Sequence, residues 1–217
     1  MENADAPFPP ILHRDDRLIV LNKPHGLLSV PGIGAGKQDC LASRVQRHHP
    51  EARIVHRLDR DTSGVIVMAF DAEAHRELSR QFHDREVEKR YTAIVAGHVR
   101  TDAGRIDLPI RKDMDPANKP RQLIDHDDGR PSITDYTVIE RLDNPQRTRL
   151  DLKPITGRSH QLRLHLKEIG HPILGDDLYA PAEVLVLSDR LLLHARTLWL
   201  VHPGTAAPMR WEAPCPF

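Results

Sequence analysis

A succession of short apolar or alternating runs, each soon closed by proline, glycine or a charged turn, constrains the fold of this chain most. RLIVLNK (residues 17–23), VIVMAF (65–70), KRYTAIVAG (89–97), GRIDLPI (104–110), LLLHARTLWLV (191–201) and a shorter run around MRWEA (209–213) read as strands. SITDYTVIE (132–140) and RTRLDLKPI (147–155) read as the two arms of a hairpin. Helical spacing is rarer. Asp39 reads as the cap of a helix carrying Leu41 and Val45. Asp71 opens a second helix with Ala74, Leu78 and Phe82 on one apolar face. SHQLRLHLKEIG (159–170) reads as a third, with Leu162, Leu166 and Ile169 inward and Gly170 as its stop, and a helical patch follows near residues 184–189. Strands and helices are intermixed without regular βαβ alternation. The order therefore predicts an α+β fold with a mixed, largely antiparallel central sheet flanked by helices and loops.

Residues 111–130 turn polar and proline-containing and read as the longest loop, a kind of segment that often carries function. Arg111, Lys112, Lys119, Arg121 and Arg130 cluster there, offset by Asp113, Asp115, Asp125, Asp127 and Asp128. The 217 residues show no repeat and no clear linker, so one domain over residues 1–217 is expected, with residues 1–10 a flexible N-terminal arm. Formal net charge is zero, so any nucleic-acid site must come from local clustering of cations. Cys40 and Cys215 lie too far apart for a CxxC pair, which fits a reducing compartment. No basic-then-apolar leader opens the chain and no apolar run reaches membrane-spanning length, so a cytoplasmic protein without a membrane partner is expected.

Several chemistries lack their residues. There is no HExxH, and His160 and His165, five apart, fall on different helix faces, so no metal is expected. GIGAGK (32–37) is followed by Gln38 rather than the Ser or Thr of a phosphate-binding loop. No GxSxG occurs, and Ser63 reads as a turn former. What remains is IVHRLDRDTSG (54–64), a polar loop between apolar runs with Asp59 at its centre. Aspartate is a common turn former, and Asp59 could equally pair with Arg57 or Arg60. Against that, Val55 and Leu58 set the loop on a core, and neighbouring arginines favour an ionised carboxylate. A second segment, LKPITGRSHQLRLH (152–165), supplies Arg158 and the helix-borne Arg163, a residue type that can hold a carboxylate by two bonds. On the residues alone Tyr91 is an ordinary strand tyrosine and Arg163 a surface helix arginine.

The pattern HRLDxxTSGxxxxA, formed by His56, Arg57, Leu58, Asp59, Thr62, Ser63, Gly64 and Ala69, resembles the RluA family of RNA pseudouridine synthases. LNKPHGLLSVPG (21–32), KRYTAIVAG, TGRSHQLRLHL (156–166), GHPILGDDLYA (170–180) and LLLHARTLWLVHP (191–203) resemble further family blocks in the family's order. The resemblance implies the pseudouridine synthase catalytic fold and an isomerase that converts uridine to pseudouridine in RNA without cofactor or metal. It implies Asp59 as the essential carboxylate, Tyr91 as the ring that stacks on uracil and Arg163 as the partner of the aspartate. Arg57 and Arg158 follow as substrate-binding candidates. The chain reaches LNKP by Leu21, so no S4 domain is expected. It looks most like the short dual-specificity branch, which acts on 23S rRNA and the tRNA anticodon stem-loop. Its partner would be structured RNA stem-loops, and a monomer is expected for this size. Three alternatives stand beside it: the same chemistry on another rRNA or tRNA site, a non-catalytic RNA-binding module, and an RNA glycosylase that leaves an abasic product.

Overall fold

The structure, a computed structural model, describes residues 7–34 and 36–217. In chain order its elements are β1 (Ile11–Arg14), β2 (Leu18–Lys23), α1 (Leu41–Gln46), β3 (Arg53–Ile54), β4 (Ser63–Ala69), α2 (Ala72–His83), β5 (Glu88–Ala96) and β6 (Ala103–Asp107). There follow β7 (Ile110–Lys112), β8 (Gln122–Ile124), β9 (Ile133–Leu142), β10 (Arg147–Pro154), α3 (Gln161–Glu168), α4 (Ala182–Leu185), β11 (Leu193–Val201) and β12 (Pro208–Glu212). Strand pairing is mostly antiparallel and helices are few, so the fold is α+β. The chain divides into two compact units. One runs to Lys89 and takes in His194–Pro216; the other is Arg90–Leu193 with Phe217.

In the first unit every residue of β4 is buried, as its unbroken apolar run requires of a strand covered on both faces. β2 lies antiparallel on one side of it, from Leu18 opposite Ala69 to Lys23 opposite Gly64. β11 runs parallel beside its start, His194 opposite Ser63 and Ala195 opposite Gly64. That close approach explains Gly64: its φ is +117°, and a Cβ there would meet the carbonyl oxygen of Ala195 at 2.1 Å. Asp71 caps α2 by accepting the N–H groups of Glu73 and Ala74, both at 2.9 Å. Ala74 and Leu78, with Phe82 beside them, pack onto Val65, Val67 and Trp211. The outer face of α2 is solvated charge, with Arg80 bound to Glu77, Asp84 and Glu86.

Two expectations need correction here. The cap of α1 is Cys40, whose Sγ accepts the Ser43 N–H while Ser43 Oγ accepts the Cys40 N–H; Asp39 instead forks onto Arg44. Ser63, expected in a turn, begins β4, and its Oγ lies 2.9 Å from Nδ1 of buried His194. Of the expected N-terminal arm, residues 1–6 lie outside the described residues, as does Ala35 of the glycine-rich loop. Pro9 is buried, and Phe8 meets the edge of the His48 ring.

In the second unit β5, β10, β9 and β6 form an antiparallel row, and the predicted hairpin is β9–β10. Leu162 and Leu166 of α3 pack over Ala93, Val95, Leu150 and Leu152 of this row. The helix is more enclosed than its leucine spacing predicts. Gln161 through Leu166 are all buried, Arg163 and His165 included. Gly170, at φ +83°, ends it. Residues 111–130 are not one loop. β7 and β8 pair antiparallel, Ile110 opposite Ile124, with a single 3-10 turn at Pro116–Asn118 between them. The hairpin's acids are bound locally: Asp113 accepts from Asn118 Nδ2, Asp115 from the Ala117 N–H, and Asp125 from the Asp127 and Asp128 N–H groups and Arg111.

Candidate active site

The loop bearing Asp59 is built from both ends. Upstream, the His56 ring stacks on Phe82 with centroids 4.4 Å apart, and its Nε2 accepts the Val67 N–H at 3.1 Å. Burial, assisted by the positive charge of Lys89, pulls the pKa of His56 down to about 3. The ring is therefore neutral at physiological pH, as an acceptor at Nε2 must be. Leu58 is buried, and Thr62 donates its N–H to the Asp59 carbonyl at 3.2 Å. Downstream, Lys23 is fully buried, and its ammonium donates to the carbonyls of Pro24 (2.9 Å), Leu27 (2.6 Å) and Arg60 (2.9 Å). Three backbone acceptors around one cation make a rigid joint, since losing any of them would leave a buried charge under-bonded. It fixes the residue that follows Asp59.

The Asp59 side chain is half-buried, between the buried Leu58 and the exposed Arg60. Arg60 forks onto its neighbour Asp61, with Nε–Oδ1 at 3.0 Å and Nη2–Oδ2 at 2.9 Å. Arg57 is exposed. The Ser63–His194 pair has the residue types of a nucleophile and base. It is sealed, at 4% and 1% exposure, and Nε2 of His194 lies 3.2 Å from the Ala213 carbonyl. That geometry suits packing and not substrate attack.

Asp59 and Arg57 belong to the first unit; Tyr91, Arg158 and Arg163 belong to the second. Tyr91 stands on β5 opposite Leu152, half-buried against the second unit's core. Arg158 precedes α3 in a loop held by Gln161. The Oε1 of Gln161 accepts from the Arg158 N–H and Thr156 Oγ1, while its Nε2 donates to the Ile133 carbonyl and Thr134 Oγ1.

Arg163 is no surface arginine. It is 2% exposed, and its Nε and Nη2 donate to the two carboxylate oxygens of Asp176, the Nε bond at 2.9 Å. Nη2 also reaches Asp177 at 2.9 Å. Asp176 is itself fixed by accepting the N–H groups of Leu178 and Tyr179. The Tyr179 ring lies 5.4 Å from the guanidinium carbon. Its hydroxyl accepts the Gln122 N–H at 2.8 Å and sits 2.9 Å from Nδ1 of His160, the left-handed residue that starts α3. Sequence reading missed Asp176, Tyr179 and His160. The available signal was a buried helix arginine's need for a carboxylate, and GDD (175–177) supplies two. Between the β7–β8 hairpin and α3 lies a cleft of about 790 Å³, lined in part by Arg121, Leu123, Leu164, Lys167 and Tyr179.

Among the described residues, no group of three or more His, Cys, Asp or Glu side chains could hold a metal ion, and no helix is long and apolar enough to cross a membrane.

The family described as RNA pseudouridylate synthase matches residues 17–168. The dual-specificity RNA pseudouridine synthase RluA of Escherichia coli (strain K12) is 48% identical over 221 residues, covering 100% of this chain and 99% of that protein. The protein of the same name from Yersinia pestis is 47% identical over 95% of this chain and 99% of its own. Among solved structures, human RNA pseudouridylate synthase domain containing 1 superposes with a TM-score of 0.83 at 28% identity, covering 100% of this chain and 87% of that one. The antiparallel α+β fold, the buried arginine of α3 and the framed HRLD loop accompany near-half identity along the whole sequence, and the chain belongs to the RNA pseudouridylate synthase family, isomerases that act on RNA.

Proposed function

We propose that this enzyme isomerises uridine to pseudouridine in 23S rRNA and in the tRNA anticodon stem-loop. The observation that carries the choice of substrate is full-length identity of 48% to a relative named for dual specificity. Asp59 is assigned as the carboxylate at the reacting ribose, Tyr91 as the ring on which uracil stacks, and Arg163 as the cation that orients Asp59. Arg57 and Arg158 are assigned to the RNA. The two units work as a single catalytic domain, in a cytoplasmic monomer.

The chemistry suits those residue types. Breaking the C1′–N1 bond builds positive charge on the sugar, as in glycoside cleavage. One ionised carboxylate on the ribose face can stabilise that charge, attack it, or take a proton from C2′. A hydrolase needs a second carboxyl group to activate water; here the leaving uracil is recaptured through C5, and water is unwanted. Isomerisation therefore needs one acid, an aromatic surface on which the base can turn, and no redox or Lewis-acid step. The target base must leave its stack at a cost of about a few kcal/mol, which favours loop uridines over paired ones. Arg163, held in direction by Asp176, suits the orienting role because its guanidinium has no freedom to swing.

The test is to incubate the purified protein with a large-subunit hairpin and an anticodon stem-loop and to map pseudouridine chemically in each. Both RNAs gain it at one uridine without change of mass. If neither is modified, the assignment of substrate is wrong; a mass loss equal to uracil less one water, the balance of a hydrolysed glycosidic bond, would make the enzyme a glycosylase.

A further inference from the structure

We propose that Ser29 is a positioning residue for Asp59, acting through the backbone of Leu58. The inference rests on the assignment of Asp59 above. The Ser29 hydroxyl donates to the Leu58 carbonyl at 2.7 Å and accepts the Leu58 N–H at 3.0 Å, so one oxygen atom satisfies both backbone polar groups of the residue before Asp59. Only a hydroxyl combines a donor and a free lone pair on so compact a side chain. Ser29 is 3% exposed and Leu58 6% exposed, so water cannot substitute for either bond.

Ser29 is held in turn by α1. Its carbonyl accepts the Ala42 N–H at 3.2 Å, and the Leu28 carbonyl accepts the Leu41 N–H at 2.7 Å. These are N–H groups of the first turn of α1, which have no partner inside the helix and so bind outside it. Residues 23–29 thus clamp the backbone on both sides of Asp59. Ser29 holds Leu58 before it, and Lys23 holds the Arg60 carbonyl after it. With both flanking peptides fixed, the Asp59 Cα–Cβ direction is fixed too, and the carboxylate need not reorganise when the sugar develops charge.

The experiment compares single-turnover rate per folded molecule with RNA affinity in S29A, S29C, S29T and D59N. The rate falls about tenfold to a hundredfold in S29A while the dissociation constant for the stem-loop stays within about twofold, the pattern of misplacement and not of lost binding. S29T, which keeps the hydroxyl, recovers most of the rate. If S29A does not fold, S29C gives the same comparison, because a thiol keeps the volume but bonds weakly. A wild-type rate in folded S29A or S29C beside an inactive D59N overturns the role of Ser29 alone. An active D59N overturns the assignment of Asp59.

Discussion

Arg163 and Asp176 meet through two parallel hydrogen bonds with side chains only 3% and 1% exposed, so the arginine's direction is set inside its own unit. A buried fork of this kind is costly to break from one side, because the remaining charge stays buried without its counter-charge. D176N puts a neutral amide where the buried counter-charge stood and leaves Arg163 paired with the half-exposed carboxylate of Asp177. We expect urea unfolding to show a loss of about 3–5 kcal/mol. The turnover of the folded fraction should fall as well, because Arg163 loses its fixed direction. Wild-type turnover at reduced stability would confine Asp176 to folding.

Tyr179 joins the β7–β8 hairpin to the start of α3 through a single hydroxyl, shared between the Gln122 N–H and His160. Y179F keeps the ring beneath Arg163 and removes that joint. Losing the two hydroxyl bonds costs about 1–3 kcal/mol, and the loss falls on hairpin docking rather than on the whole fold. Amide exchange across residues 110–124 should accelerate. RNA affinity should weaken because Lys112, Lys119 and Arg121 ride on that hairpin. H160N keeps an acceptor near the same place and tolerates the left-handed backbone, so it should behave closer to wild type than H160A.

The neutral ring of His56 ties stability to pH. Its pKa is near 6.5 in an unfolded chain and about 3 in the folded one, lowered by burial and then by Lys89. Between those values the unfolded state holds more protons, so this contribution is fully present above pH 6.5 and is lost as pH falls toward 3. The slope from one such group is at most about 1.4 kcal/mol per pH unit. H56Q retains an acceptor for the Val67 N–H but does not titrate. Its stability should vary less than wild type between pH 6.5 and 5; parallel curves would show that His56 is not the source.

Gly64 has no tolerated replacement. At φ +117°, with the Ala195 carbonyl oxygen 2.1 Å from an added Cβ, G64A must either push β11 off β4 or fail to fold. Soluble yield and thermal unfolding should both collapse, with a loss beyond about 4 kcal/mol. A folded G64A of wild-type stability would contradict the close parallel pairing seen there.

Periodicity made most of the framework legible before any coordinates. The VIVMAF run read as a strand, Asp71 as the start of α2, and the alternating arms at 132–140 and 147–155 as a hairpin, and the structure has all three. The Asp59 loop stood out because an acid flanked by arginines is unusual between two apolar runs. Other features were hidden because they depend on contacts across long stretches of chain. Strands of three residues carry too little pattern to show through the prolines and acids of 111–130, so β7–β8 read as a loop. Asp39 read as the cap of α1, but it pairs with Arg44, and Cys40 Sγ accepts the Ser43 N–H in its place. The leucine spacing of α3 marked one inward face, yet Arg163 and His165 are also buried, because Asp176 and Thr134 wait for them. Ser29 gave no sign of its two hydrogen bonds to Leu58.

The most direct measurement is pseudouridine formation by D59N against a stem-loop substrate, with binding followed in parallel. D59N differs from wild type by one oxygen and one charge, and the carbonyl contact with Thr62 is untouched. RNA should still bind D59N with near-wild-type affinity, and no pseudouridine should form even at long incubation. Pseudouridine made at the wild-type rate by D59N would contradict the assignment of Asp59.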